Sequence, residues 1–316
     1  MKRIGYAGLR IVLVLILAVS VAAAQETTPA QKWKVQIESG LGVTQAAYSD
    51  NWTGGESGSI LWASAFRGKA EKQISPSWYW GNELKLAFGQ THNQVKVTDS
   101  LGVETKKWTS PQKSTDKIRY DGILRLTRGW VVDPYAAGVF ESQFLDASGT
   151  RKRYVNPVDL TETMGVARDV VKIPDRYVLT TRFGAGFRQR FICRDDPADP
   201  AKTISESSND GGLEWVTDFA LGSAKSKYSF LSKLTLFQAL FYSKADELKG
   251  LPNEDYWKTA DLNWDNVLTA NVTSILQVSL AWQLLYDKEI DLGGRLKETL
   301  TLGVAYKFAN FVPEKK

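Results

Sequence analysis

Residues able to do covalent or metal chemistry are scarce in this chain. His92 is its only histidine and Cys193 its only cysteine among 316 residues. One imidazole cannot build a two-histidine metal site, and one thiol can form neither an internal disulfide nor a multi-cysteine zinc centre. A Ser–His pair at a membrane surface would need a nucleophile motif beside His92, and only Thr91 and Asn93 flank it. Asp195, Asp196 and Asp199 share a polar segment that could weakly hold calcium or a cation bridging lipopolysaccharide. A solvated loop explains the same three residues more simply. Gly40-Leu41-Gly42 and Gly184-Ala185-Gly186 lack the third glycine and following helix of a dinucleotide site. In strands such glycines relieve crowding or permit bends.

What remains is charge placed at alternate positions. Glu83 and Lys85, Arg119, Asp121 and Arg125, Glu141, then Arg182, Arg188 and Arg190 each share one parity within their segment. Glu214 and Asp218 repeat the pattern. On a strand, residues two apart face the same side, so these groups line one face while apolar side chains occupy the other. With a tight turn centred on Asp133, Arg125 and Glu141 are expected to be cross-strand partners. The bland expectation is a salt-bridged interior. The sharper one is a narrow passage whose arginine wall, Arg182, Arg188 and Arg190, favours anions.

The elements that must position these charges are strands. Leu276, Val278, Leu280, Trp282, Leu284 and Tyr286 oppose Gln277, Ser279, Ala281 and Gln283. Leu300, Leu302, Val304, Tyr306 and Phe308 repeat the alternation, as do Tyr177 to Phe187 against Arg182, Arg188 and Arg190. Further alternating segments start near 33, 57, 77, 117, 135, 158, 212, 228 and 261, giving about twelve strands. Short turns fall at 73–76, 132–134, 171–175, 223–227 and 273–274. Longer polar loops fall around 44–56, 95–115, 146–157, 193–211, 244–260 and 288–294. Such segregation of loop length between two rims is the up-and-down plan of a transmembrane barrel. Aromatics near strand ends fit interfacial girdles: Trp33, Trp78, Trp130, Tyr135, Tyr177, Tyr228 and Phe308 on the short-turn rim, and Phe88, Phe144, Phe191, Trp215, Trp264 and Tyr286 on the other.

Composition agrees. The chain is 43% hydrophobic with 11 Trp, 12 Tyr and 13 Phe, which excludes low-complexity disorder. Residues 1–24 read as a secretory signal: Lys2, Arg3 and Arg10, then Ile11 to Val21, then Ala22-Ala23-Ala24. Its removal takes three of 40 basic residues and none of 35 acidic ones, lowering the formal charge from +5 to +2. Nucleic-acid binding loses its main support.

Several short motifs resemble an uncharacterised outer-membrane barrel family, domain of unknown function 3078. They are Asn51-Trp52-Thr53-Gly54-Gly55-Glu56, Trp80-Gly81-Asn82-Glu83-Leu84 followed by Ala87-Phe88-Gly89, and near the end Asn263-Trp264, Leu284-Leu285-Tyr286-Asp287, Lys297-Glu298 and Tyr306-Lys307-Phe308. The resemblance implies fold and location and no activity. The last strand also resembles the aromatic-ended signal read by the barrel-assembly machinery, although Ala309 to Lys316 extend beyond it.

The expectation is therefore an all-β protein: a signal peptide at 1–24, then an up-and-down antiparallel transmembrane β-barrel of about twelve strands over 25–316. It is placed in a Gram-negative outer membrane among lipid and lipopolysaccharide. Glu83, Lys85, Arg119, Asp121, Arg125, Glu141, Arg182, Arg188 and Arg190 are its candidate lumen-lining residues. No cofactor, metal or nucleic acid is expected. Three roles compete: a narrow small-solute channel, a closed barrel docking an envelope partner, and a lipid-modifying enzyme at His92.

Overall fold

The computed structural model describes residues 32–48, 57–98, 100–102, 104–173, 176–199, 202–222 and 226–310. Residues 1–24 and the motif at 51–56 lie outside them. Thirteen strands form, β1 (Lys34–Ala46), β2 (Ser59–Ser75), β3 (Trp78–Thr98), β4 (Glu104–Trp108), β5 (Gln112–Leu126), β6 (Asp133–Ser142), β7 (Val158–Ile173), β8 (Tyr177–Asp195), β9 (Thr203–Leu221), β10 (Tyr228–Tyr242), β11 (Asp261–Asn271), β12 (Leu276–Tyr286) and β13 (Arg295–Ala309). Each pairs antiparallel with its neighbour, and β13 returns to pair with β1, Gly42 opposite Gly303 and Glu38 opposite Lys307. β4 pairs only with the protruding end of β3, so twelve strands close the barrel. Closure leaves no ring strand with an unpaired edge, which lipid could not satisfy.

The two faces differ as a membrane requires. On β13 the relative exposure is 67% for Leu296, 67% for Leu300 and 52% for Val304, all on the outer face. Leu276, Val278, Leu280 and Leu284 stand directly opposite Val304, Leu302, Leu300 and Leu296 and share that face. Outward Trp215 and Trp264 donate their indole N–H to Thr181 Oγ1 at 2.8 Å and Ser232 Oγ at 2.9 Å. Outward Tyr120 donates to Asn82 Oδ1 at 2.5 Å. These three polar edges of the aromatic exterior therefore have partners without water. Trp78, Trp130, Tyr177, Tyr228 and Phe308 are exposed toward the short-turn rim, and Phe144, Phe191 and Trp264 lie toward the other, whereas Trp215 stands nearer the short-turn end of β9 than the expected long-loop end.

Four further expectations need correction. Tyr135 belongs to no girdle: it faces inward opposite Arg125 and is buried. Arg125 does not partner Glu141, because Arg119 does. The pairing error has a plain cause: the β5–β6 turn spans 127–132 rather than a tight turn at Asp133. The 193–211 segment is mostly strand, since β8 runs to Asp195 and β9 starts at Thr203. Its polar side chains carry no apolar alternation, yet backbone pairing needs none outside the membrane. Finally, 95–115 holds the β3–β4 hairpin rather than a plain loop.

The loops of the long rim are built. Asp116 accepts the N–H groups of Phe144 and Leu145, and Lys113 Nζ donates to Gln143 Oε1. Asn156 donates to Asp146 Oδ2 at 2.6 Å and accepts the Cys193 N–H at 2.7 Å, pinning the 143–157 loop to β8. Asp146 would be pushed up by its burial, but hydrogen bonds from Ser148 and Asn156 and the nearby Arg153 hold it below its ordinary value.

Candidate functional site

The inner face carries the charge, and the register fixes where each group stands. Glu83 is opposite Asp121 on β5 and Lys69 on β2, while Lys85 is opposite Arg119 and Arg67. Around them Arg67 Nε meets Glu83 Oε1 at 2.5 Å, and Lys85 Nζ meets Glu83 Oε2 at 3.0 Å. Arg119 forks onto Asp121 through Nε and Nη2 at 2.7 and 2.8 Å and reaches Glu141 through Nη1 at 2.7 Å. Nearer the short turns, Arg125 bridges Asp133 at 2.6 Å and Asp169 at 2.8 Å. These are charge-assisted, partly bidentate bonds, the strong kind.

Two ion pairs reach the far wall of the lumen. Lys233 of β10 donates to Asp121 Oδ1 of β5 at 2.8 Å, and Lys117 of β5 lies 3.7 Å from Asp265 Oδ2 of β11. Counting round the ring, β10 and β11 stand five and six strands from β5, on the far wall. A lysine and an aspartate can touch only where those walls approach, so the barrel is pinched at this level. Sequence reading had no means of finding these pairs. Alternation reports which face a residue occupies and nothing about the opposite wall.

The pinch separates two unlike halves. On the β5–β10 side the interior is packed, with inward Ala167, Val216 and Thr163 only 1%, 2% and 3% exposed. Thr163 Oγ1 donates to Glu214 Oε1 at 2.9 Å. The Arg182 guanidinium lies 5.9 Å from the Tyr135 ring centre, and that of Arg188 lies 3.8 Å from the Phe237 ring centre. The tyrosine rests against a glycine step: a Cβ added at Gly184 would come within 3.0 Å of its hydroxyl and 2.4 Å of the Met164 carbonyl. On the β12–β3 side, inward Ala281, Thr301, Gly303, Gly42, Ala63 and Ala87 form a band of small side chains between Arg67, Glu83 and Lys85 on one side of it and Lys297 on the other. Inward Ala65 there is solvent-exposed.

The three arginines of β8 do not form a bare cationic row. Arg188 is held by Asp210 and Asp261, and Arg190 stands 3.7 Å from Asp159. Among the described residues only Arg182 of the three has no carboxylate partner, and it faces the packed half. Asp195 is taken up by Thr150 and Arg153. Among the described residues no cluster of His, Cys, Asp and Glu could hold a metal ion. His92 sits on the outer face of β3 opposite Ile60. Cys193 is exposed in β8, its sulfur 3.3 Å from Ser205 Oγ.

No curated protein matches the chain. Among solved structures it is similar to the translocator domain of the autotransporter NalP from Neisseria meningitidis, with 11% identity over 96% of both chains and a TM-score of 0.36. It is similar as well to an outer-membrane channel from Pseudomonas putida F1, with 11% identity over 91% of this chain and 100% of that one and a TM-score of 0.34. The NanC porin matches at 10% identity over 87% of this chain and 97% of that one, with a TM-score of 0.31. From the end of β1 through β6, residues 43–147 match the family described as "Protein of unknown function (DUF3078)", the one its motifs at 51–56, 80–84 and 87–89 resemble.

Proposed function

We propose that this protein is a Gram-negative outer-membrane barrel that passes small solutes through a lumen narrowed at its waist. The observation carrying this reading is the asymmetry of the interior: one half closes over Ala167, Val216 and Thr163, while the other carries a band of Gly, Ala and Thr with Ala65 in contact with solvent. A barrel that served only as a stiff post would gain by packing both halves, since unfilled interior forfeits dispersion contacts. Eight strands leave an interior just filled by side chains and sixteen leave an aqueous channel, so twelve with one half filled suits a narrow conduit. Export through a cleaved leader at 1–24 and insertion by the barrel-assembly machinery belong to the same proposal.

The cross-lumen pairs Lys233–Asp121 and Lys117–Asp265 favour a second reading, a closed barrel whose docked long loops meet another envelope component. Planar bilayers separate the two. The refolded, heat-modifiable protein should give small discrete conductance steps, enlarged in Lys233→Ala. A silent bilayer with folded protein would select the closed barrel.

A further inference from the structure

Toward one end of the open half, Lys297, Lys113 and Lys117 gather beside the carboxylates of Asp116 and Asp265. Lys297 projects inward from β13, opposite Gln283 on β12, and its Nζ meets Thr115 Oγ1 of β5 at 3.2 Å. That contact spans β1, β2 and β3, the strands whose small side chains line the open half. Two residues along β5, Lys117 reaches the far wall at Asp265. The ammonium groups of Lys297 and Lys117 therefore overhang one gap from its two sides.

The bonding of Lys297 sets it apart from the arginines that anchor the inner network, whereas Lys117 is already paired with Asp265. Arg119, Arg125 and Arg188 are each clamped by two carboxylates. Lys297 has only a neutral hydroxyl partner, and among the described residues no carboxylate lies within ion-pair distance of it. It is exposed to the lumen. Arg295, next on the same inner face, leaves its Nε buried without a hydrogen-bond partner. An ammonium bonded to a hydroxyl lacks the charge–charge attraction that an anion would add at the same distance. An anion entering the gap can thus replace Thr115 at Lys297 with gain, whereas displacing Asp210 from Arg188 brings none. The long, rotatable lysine stem lets the ammonium follow and then release its guest. Conduction needs that balance of capture and escape.

We propose that the conducting path is eccentric, running beside β12, β13, β1, β2 and β3, and that Lys297, assisted by Lys117, is its anion-binding constriction. The solute class is small anions, inorganic or carboxylate, and not the cations or sugars that a neutral passage would admit. This rests on the channel reading above and adds to it the place and the sign.

Reversal potentials of the refolded full-length protein in a potassium chloride gradient test the idea. Wild type should prefer chloride, Lys297→Glu should lose that preference, and Lys297→Gln should weaken it without threatening the fold. Arg182→Glu, on the packed side, should leave selectivity unchanged in whatever fraction folds. Ala65→Trp should remove most of the conductance. A channel that prefers potassium, or one whose selectivity ignores Lys297→Gln and follows Arg182 instead, would overturn this proposal and leave the channel standing. A folded protein with no conductance would overturn the channel itself.

Discussion

Single residues decide how firmly the lumen is tied. Lys233 is half-buried, and its long side chain reaches from β10 to the β5 wall. Replacing it by methionine keeps the volume and removes the charge, leaving Asp121 to Arg119 alone. Breaking one partner of a buried pair typically costs about 3–5 kcal/mol; with Arg119 still present, the lower end is expected in denaturant unfolding from lipid vesicles. Lys233→Met with Asp121→Asn should recover most of the loss, and an unchanged midpoint in the single variant would refute the tie. Glu289, in the loop after β12, offers a test at the rim. Burial pushes its carboxyl up to about 7, with Asp287, Asp261 and Asp210 adding repulsion and Arg188 opposing them. A raised pKa means its contribution to stability is fully present at pH below about 4.5 and is lost as pH climbs through about 7. Glu289→Gln should therefore hold resistance of the 287–294 loop to proteolysis flat over that window, while wild type weakens toward alkaline pH. Parity made the inner placement of such charges readable from sequence. Their partners were not, since Arg119 rather than Arg125 meets Glu141 once the 127–132 turn is counted.

Strands were legible wherever one side faced lipid and the other the lumen. β12 reads from its apolar row alone, and its observed span, Leu276–Tyr286, coincides with the alternation. The ends of β8 and β9 were illegible for a physical reason. Past Phe191 the barrel wall leaves the apolar layer, so Ile192, Cys193 and Arg194 pair with Glu206, Ser205 and Ile204 without an alternating apolar row. Tyr135 failed for another: its ring fills the lumen over Gly184 instead of marking an interface, and an aromatic near a strand end looks the same in either place. The face assignment carries an energetic consequence. Leu280→Arg on the outer face of β12 should cost about 2–4 kcal/mol at mid-membrane depth. Ser279→Arg, one residue away and inward, should be tolerated in the same vesicle assay. Equal costs for the two would mean that the strand does not separate lipid from lumen.

At the scale of the whole molecule, closure explains why an interior so rich in charge is affordable. A ring of twelve strands satisfies its own backbone, and the lumen then supplies carboxylates and cations to one another across distances no single hairpin could span. The contacts Lys233–Asp121, Lys117–Asp265 and Lys297–Thr115 link β5 to three other strands and hold the cross-section to its pinched form. All of this depends on apolar side chains facing acyl chains while ionic ones face the axis. The most direct test places spin labels singly at Leu280, Leu300 and Leu302 and at Ser279, Thr299 and Thr301, in a Cys193→Ser background reconstituted into lipid vesicles. Collisions with dissolved oxygen, which concentrates in the bilayer, should be high at the three leucines and low at their neighbours, with a water-soluble nickel reagent showing the reverse. Oxygen contact without alternation, or alternation in the opposite phase, would contradict the account.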